Sequence, residues 1–281
     1  MIKTFLVRGD LHGDVDRLIS QLVTNNYERE TTAVIILGDF GINFWLNKTD
    51  QKKKEFIEAQ KYYIYAVRGN HECRPIRLPN MSMMFDENVN GPVYYEPEYP
   101  HIRYFRDYDI YTINGYRCLV IGGAYSVDKW YRLSRFNMTE ATNVAKKSGW
   151  FNDECLSQLE MTDCDNMIEN SHNNIFDFVF THTCPKKYQP TDLFLGFVDQ
   201  STVDTSMEDW MDIIAEKIVV NFAWLFGHYH ADRIERPHVE QYYNDIELLD
   251  NIANRWKHYD DTGELDWYLV KSPNFYMNKE K

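Results

Sequence analysis

The chain has 281 residues, room for one large α/β domain or two small ones, and its 44% hydrophobic and 15% aromatic content excludes a disordered chain and predicts a packed core. Thirty Lys and Arg against 43 Asp and Glu leave a formal charge of -13, opposite in sign to a protein that holds nucleic acid by its overall field, so no stable nucleic-acid binding is expected. No apolar run reaches the ~18 residues of a membrane span, Met1 to Arg8 is too short for a secretory leader, and five scattered cysteines form no Cys-x-x-Cys pair; a cytoplasmic protein with reduced thiols and no membrane partner is expected.

No repeat or linker marks a boundary, so residues 1–281 are read as a single domain. Ile2 to Val7 is a β-rich run leading into Gly9-Asp10-Leu11-His12-Gly13, and the apolar spacing from Val15 to Val23 then suits a helix. Ala33 to Leu37 leads into Gly38-Asp39-Phe40-Gly41, followed by a Lys- and Glu-rich helix from about Gln51 to Lys61. Tyr63 to Val67 leads into Arg68-Gly69-Asn70-His71-Glu72. Residues 75–106 break the rhythm with Pro75, Pro79, Pro92, Pro97 and Pro100 among several tyrosines, which predicts a cap-like insertion over the strand ends.

Asp109 to Ile113 and Tyr116 to Ile121 flank Asn114-Gly115, the strongest short hairpin signal. Ile175 to Phe180 leads into Thr181-His182-Thr183-Cys184-Pro185; Met207 to Val220 reads as a helix; Phe222 to Phe226 feeds Gly227-His228-Tyr229-His230. Arg233 to Tyr243 gives one or two strands, and the acidic, aromatic C-terminal stretch after it has no chemical reading. Strands alternating with helices, each strand followed by a polar turn, predict an α/β fold whose site lies at the carboxyl ends of the strands.

Five of those turns carry ligand-type side chains: Asp10 with His12, Asp39, Asn70 with His71, His182, and His228 with His230. Each alone is an ordinary turn; five in series after five apolar runs are hard to obtain by chance. Residues two apart in an extended segment share a face, so Asp10 and His12, and His228 and His230, can each converge. Carboxylate, amide and imidazole donors together suit manganese first, with iron, zinc or nickel as alternatives, better than magnesium or calcium. Two divalent ions sharing one carboxylate use all the ligands.

The blocks Gly-Asp-x-His, Gly-Asp, Gly-Asn-His-Glu, a His after a strand and Gly-His-x-His stand in order from Gly9 to His230, and in this the sequence resembles the calcineurin-like metallophosphoesterases. The resemblance implies a β-sandwich flanked by helices. It also implies that Asp10, His12 and His230 bind one metal and Asn70, His182 and His228 the other, with Asp39 bridging. Two divalent cations against Asp10 and Asp39 leave about +2, which answers how a chain at -13 handles an anion. They would lower the pKa of a bridging water to give a hydroxide nucleophile, and His71 is placed to protonate the leaving oxygen.

The turns around Asn70 and Asp10 are also similar to those of serine/threonine phosphoprotein phosphatases, but that branch has Gly-Asp-x-Val-Asp-Arg-Gly where this chain has Gly38-Asp39-Phe40-Gly41-Ile42-Asn43-Phe44. Its supporting Asp and phosphate-binding Arg are both missing. Gly122 to Arg132, with Trp150-Phe151-x-x-Glu154, looks instead like a poorly characterised group of bacterial and phage metallophosphoesterases. Ser126, Lys129 and Arg132 are candidate substrate contacts, as are Arg74 and Arg77, whose planar guanidinium can grip phosphate. Tyr94, Tyr95, Tyr99, Tyr104 and Phe105 either stack a base or pack the insertion. The expected function is two-metal hydrolysis of phosphate mono- or diesters on a small or nucleotide-type substrate. A protein phosphatase and a non-catalytic metallated scaffold are the alternatives, and the oligomeric state has no signal.

Overall fold

Ala33 to Leu37 carries no polar side chain, the pattern of a strand covered on both faces, and in the computed structural model the strand β2 (Thr32–Leu37) is buried at every position. It pairs in parallel with β1 (Thr4–Arg8) and β3 (Tyr63–Val67), and the helices α1 (Val15–Thr24) and α2 (Lys48–Gln60) form the crossovers. The structure describes residues 1–194 and 201–266, together with the backbone of 276–277.

The chain continues through β4 (Ser82–Asp86), β5 (Gly91–Tyr95) and β6 (Ile102–Phe105) to a hairpin of β7 (Tyr108–Ile113) and β8 (Tyr116–Ile121). Asn114 and Gly115 turn that hairpin with φ of 52° and 84°, as an Asn-Gly turn of the I′ kind requires. Helices α3 (Lys129–Arg135), α4 (Ala145–Ser148) and α5 (Gln158–Glu169) precede β9 (Ile175–Thr181); α6 (Ser206–Lys217) precedes β10 (Val219–Phe226). Short strands β11 (Arg233–Arg236), β12 (Val239–Gln241) and β13 (Ile246–Leu248) then lead to α7 (Leu249–Thr262), and β14 (Tyr276–Met277) follows.

Among the described residues these strands make two seven-stranded sheets, ordered β13-β1-β2-β3-β6-β5-β4 and β14-β11-β12-β10-β9-β8-β7. Strand alternation sorts their side chains. Phe5, Val7, Ile35 and Val67 of the first sheet meet Val120, Phe178, Phe180 and Leu225 of the second in one apolar layer. Leu6, Val34, Ile36 and Ile64 face the other way, under Leu18, Leu22 and Ile57 of the helices. Met161, Cys164, Met211 and Ile214 of α5 and α6 cover the far face of the second sheet. The result is the helix-flanked β-sandwich expected from the resemblance. Trp256 of α7 is wholly buried in the inter-sheet layer, where truncation to Ala would cost ~3–5 kcal/mol. All five cysteines are free thiols, and no helix among the described residues is long and apolar enough to cross a membrane.

Three expectations change. Residues 75–106 form no cap: β4, β5 and β6 extend the first sheet beyond β3, because Val89, Val93 and Phe105 alternate inward to the core and Pro79, Pro97 and Pro100 fall in connections. Pro92 sits beyond the last β5–β6 pair, where its missing N–H breaks no ladder bond with β6. The tyrosines there pack instead of presenting a stacking surface; Tyr99, Tyr104 and Phe105 are buried, and Tyr95 lies against the Arg103 guanidinium at 5.1 Å. The helix expected to reach Val220 ends at Lys217, since the β-branched Ile218, Val219 and Val220 favour the strand that follows. The C-terminal stretch begins as α7, and most of its remainder lies outside the described residues.

Candidate metal centre

Each ligand-type turn leaves the carboxyl end of a parallel strand: Asp10 and His12 after β1, Asp39 after β2, Asn70 and His71 after β3, His182 after β9, His228 and His230 after β10. The sandwich therefore brings turns from both sheets to one end. His12, Asp39, His228 and His230 have φ of 48°, 46°, 67° and 56°, a left-handed backbone unfavourable for residues with a Cβ. Such conformations cluster where surrounding structure holds a side chain in place for function. Gly69 and Gly227 are required for close approach: a Cβ on either would lie 2.1–2.2 Å from an oxygen of Asp39 or Asp10.

Those approaches let backbone N–H groups hold one oxygen of each carboxylate. The N–H of His228 donates to Asp10 Oδ1 and that of His71 to Asp39 Oδ1, both at 2.8 Å. The second oxygens, Asp10 Oδ2 and Asp39 Oδ2, are buried and not hydrogen-bonded. Asp10 Oδ2 faces His230 Nε2 at 3.1 Å and His12 Nε2 at 3.6 Å, and those two imidazole nitrogens are 2.9 Å apart. Asp39 reaches both sides of the site, with Oδ2 3.8 Å from His12 Nδ1 and Oδ1 3.5 Å from His182 Nε2.

His182 is oriented from behind. Its Nδ1 lies 2.8 Å from the carbonyl oxygen of Leu37, which assigns the proton to Nδ1 and leaves Nε2 facing Asn70 Oδ1 at 2.9 Å. The His228 ring stands edge-on to it at 4.9 Å. Burial alone would lower His182, yet the carboxylates of Asp39 and Asp10 carry it up to about 9. Burial and the neighbouring His182 push His228 down to about 3. Burial works against ionised Asp39, but His182, His71 and His12 hold it well below the usual carboxylate range. Two buried carboxylates with open oxygens thus require positive charge between them.

Two groups satisfy the reach of a single ion: Asp10 with His12 and His230, and Asp10 with Asp39 and His182. Asn70 and His228 border the second. Open buried carboxylate oxygens, imidazole nitrogens turned toward them, and a mixed N/O donor set fit two divalent cations with oxygen and nitrogen ligands. His71 stands beside them with Nε2 3.9 Å from Asp39 Oδ2 and a buried Nδ1 that has no hydrogen bond. Burial lowers its pKa, opposed by Asp39 and reinforced by Arg132.

Behind these turns lie three buried carboxyl groups, each pushed up to about 7 chiefly by burial: Glu72, Glu154 and Glu208. Glu72 accepts the Gly69 N–H at 2.8 Å. Glu154 accepts from the Ser126 N–H and hydroxyl, and Ser126 Oγ accepts from Asn70 Nδ2 at 2.8 Å. Glu208 accepts from the Thr183 hydroxyl next to His182. Sequence reading assigned none of these roles. Glu72 was visible within Gly-Asn-His-Glu, and Glu208 as an acid within the buried stripe of Met207, Met211 and Ile214.

The expected substrate contacts divide. Ser126, 2% exposed, supports Asn70 and does not face open solvent as a phosphate ligand. Arg74 is also withdrawn: its guanidinium pairs with Asp107, Asp153 and Glu160 and donates to the carbonyls of Asp153 and Cys155, joining Arg68 in a structural network. Three carboxylates outcompete a transient ligand for its planar fork. Arg77 is 62% exposed but held by Asp153 at 2.5 Å. Lys129 pairs with Glu140 at 2.8 Å and lies over Trp150 and Trp130 at 4.7 and 4.8 Å. Arg132 is bonded to Asp128 and to the carbonyl of Gly149, with its guanidinium 5.9 Å from the Phe44 ring.

A family model described as calcineurin-like phosphoesterase matches residues 3–232. No curated protein sequence matches the chain. Among solved structures it is similar to the NAD nucleotidase of Haemophilus influenzae, with TM-score 0.36 and 13% identity over 82% of this chain and 39% of that one. It therefore spans about two-fifths of that protein's length. It is also similar to the phosphopantetheinyl hydrolase of Mycobacterium tuberculosis, with TM-score 0.42 and 12% identity over 94% of each chain.

Proposed function

From the premise that the chain belongs to the calcineurin-like phosphoesterase family, and so is a metal-dependent phosphoesterase, we propose that it hydrolyses mono- or diesters of phosphate on small or nucleotide-type substrates. The family binds a dinuclear divalent metal centre. The proposed holders are Asp10, His12 and His230 for one ion and Asn70, His182 and His228 for the other, with Asp39 shared. When bound, such a pair supplies Lewis acidity to the phosphoryl oxygens and an activated water at neutral pH. The single observation carrying this reading is the pair of buried carboxylates, Asp10 and Asp39, each with an oxygen not hydrogen-bonded and turned toward imidazole nitrogens.

The remaining steps fall to the chain's own groups. Asp39 fixes the His71 backbone through its N–H, so the imidazole stands at the edge of the centre instead of inside it. A leaving alkoxide needs a proton, and His71 is the group placed to give it. Burial keeps the free imidazole mostly neutral at neutral pH, while the negative charge of an arriving ester raises its proton affinity. Ser126 and Glu154 hold Asn70, and the Leu37 carbonyl holds His182, so these two side chains are oriented before substrate arrives.

The test is metal removal and return. Chelated protein should lose turnover of phenyl phosphate and of bis(p-nitrophenyl) phosphate and recover it on adding Mn, with about two ions bound per chain in the active form. Full turnover without bound metal would overturn the reading; metal binding without turnover of any ester in the panel would favour a scaffold.

A further inference from the structure

We infer that the recess bounded by Phe44, Trp45, Tyr131, Arg132, Arg135 and Lys147 binds the leaving group of the substrate, and that this leaving group is a nucleotide: a planar base carrying a second phosphate. The inference rests on the phosphoesterase reading above and names its substrate class. The recess holds about 380 Å³, within the ~300–1,000 Å³ typical of small-ligand sites. Its inner wall is the Phe44 ring, whose centre is 6.3 Å from that of His71. A group leaving toward the imidazole that protonates it therefore departs into this recess.

Two features define the occupant. Trp45 and Tyr131 are 48% and 66% exposed, and Trp45 meets Phe44 edge-on at 4.8 Å, so aromatic faces line the opening where a core would have hidden them. Such faces stack planar bases with little regard to sequence. Beside them, Arg135 and Lys147 are exposed and make no ion pair among the described residues, whereas Arg132 is held by Asp128 at 2.7 Å. Residues 128–149 carry five basic against two acidic side chains in a protein of net charge -13. Free cations in an acidic chain, next to a centre for phosphate, are suited to a further anionic group. An aryl phosphate would leave the cations unused and a sugar phosphate would leave the aromatic faces unused; a nucleotide uses both.

For adenosine 3′,5′-bisphosphate the reaction balances as one hydrolysis: water oxygen bonds to the 3′ phosphorus, the ester P–O3′ bond breaks, and O3′ takes a proton from His71. The products are phosphate and AMP, with AMP in the recess.

The experiment uses the full chain with Mn and compares kcat/KM for adenosine 3′,5′-bisphosphate with that for glycerol 3-phosphate, which lacks both ring and second phosphate. Tyr131→Ala, and separately the double change Arg135→Ala with Lys147→Ala, should each lower that ratio ~10-fold or more. These side chains are exposed, so folding is preserved. In parallel, AMP should quench tryptophan fluorescence, less so in Trp45→Phe, with an affinity that falls ~10-fold in the same two variants. If both esters are hydrolysed but ratio and AMP affinity stay unchanged in the variants, the leaving-group assignment is overturned and the phosphoesterase reading stands. If neither ester is hydrolysed but AMP binds and the variants weaken it, the recess assignment stands and the hydrolytic reading fails. Absence of both hydrolysis and AMP binding overturns both.

Discussion

Phe44 separates two regions built under opposite constraints. On one side, Asp10 and Asp39 are buried, four candidate ligands adopt left-handed backbone, and every ligand turn leaves a strand of the double sheet. On the other, between Lys129 and Gly149, short helices carry exposed aromatic and basic side chains, two of them cations with no ion pair among the described residues. The difference teaches where chemistry and selectivity reside. Holding two cations needs donors fixed to fractions of an ångström, which only a rigid scaffold provides. Recognising a leaving group needs surface, which a helical appendage can present without disturbing the scaffold.

The sharpest attempt to break this contrast is Asp39→Asn. It removes charge from the one carboxylate that reaches both donor groups, at 3.8 Å from His12 and 3.5 Å from His182. Several kcal/mol of charge stabilisation are lost, so activity should fall by ~10³-fold or more and bound metal should drop, measured by turnover and elemental analysis. Asparagine retaining half the activity would mean that the cradle tolerates error as the rim does.

His71→Ala comes next, because this residue lies at the border between the regions. Metal content should persist, while turnover of alkyl phosphates falls ~10²-fold and that of nitrophenyl esters much less, since nitrophenolate leaves without a proton. Equal losses on both would move His71 fully into the cradle.

The same contrast explains what the sequence allowed to be read. The ligand turns were legible because a side chain that must follow a strand at a fixed offset leaves a fixed spacing, as in Asp10-x-His12 and His228-x-His230. The hairpin at Asn114-Gly115 was legible because few other residue pairs accept two positive φ values in succession. The β4–β6 extension was misread as a cap, since five prolines obscured an alternation that only pairing partners reveal. Arg74 was misread because its partners Asp107, Asp153 and Glu160 are remote in sequence. Nothing local distinguishes a guanidinium awaiting phosphate from one already held by carboxylates.

A milder change sharpens the boundary from the cradle side. Ser126→Ala removes the acceptor for Asn70 Nδ2 and a donor to Glu154, and should weaken Mn affinity ~10-fold with kcat reduced in proportion to lost metal. Lys129→Ala, three residues on but paired with exposed Glu140, should leave Mn affinity within about twofold, as expected of a surface ion pair. Titration of chelator-treated protein with Mn reads both; equal effects would erase the boundary drawn between Ser126 and Lys129.

The smallest effect on turnover is expected behind the cradle, at Glu208, whose influence is on stability. This side chain is 4% exposed, accepts from the Thr183 hydroxyl at 2.8 Å, and has a second oxygen buried with no hydrogen bond, so burial pushes its pKa up from 4.5 to about 7. Between those values the folded chain holds the proton more tightly than the unfolded one, so stability must fall as pH rises. The contribution is fully present below pH ~4.5, declines across the window, and is lost once pH exceeds about 7; the shift corresponds to about 2–3 kcal/mol. Glu72 and Glu154 carry the same sign, so wild-type protein alone cannot isolate Glu208. Glu208→Gln can, because an amide stays neutral across the window. In metal-free protein, denaturant titrations at pH 5 and pH 8 should show the variant losing less stability between them than the wild type, by about 2–3 kcal/mol. A difference of the opposite sign would mean that the carboxylate is charged when folded, and that the ring of buried acids behind the cradle holds its turns as anions instead of neutral hydrogen-bonding groups.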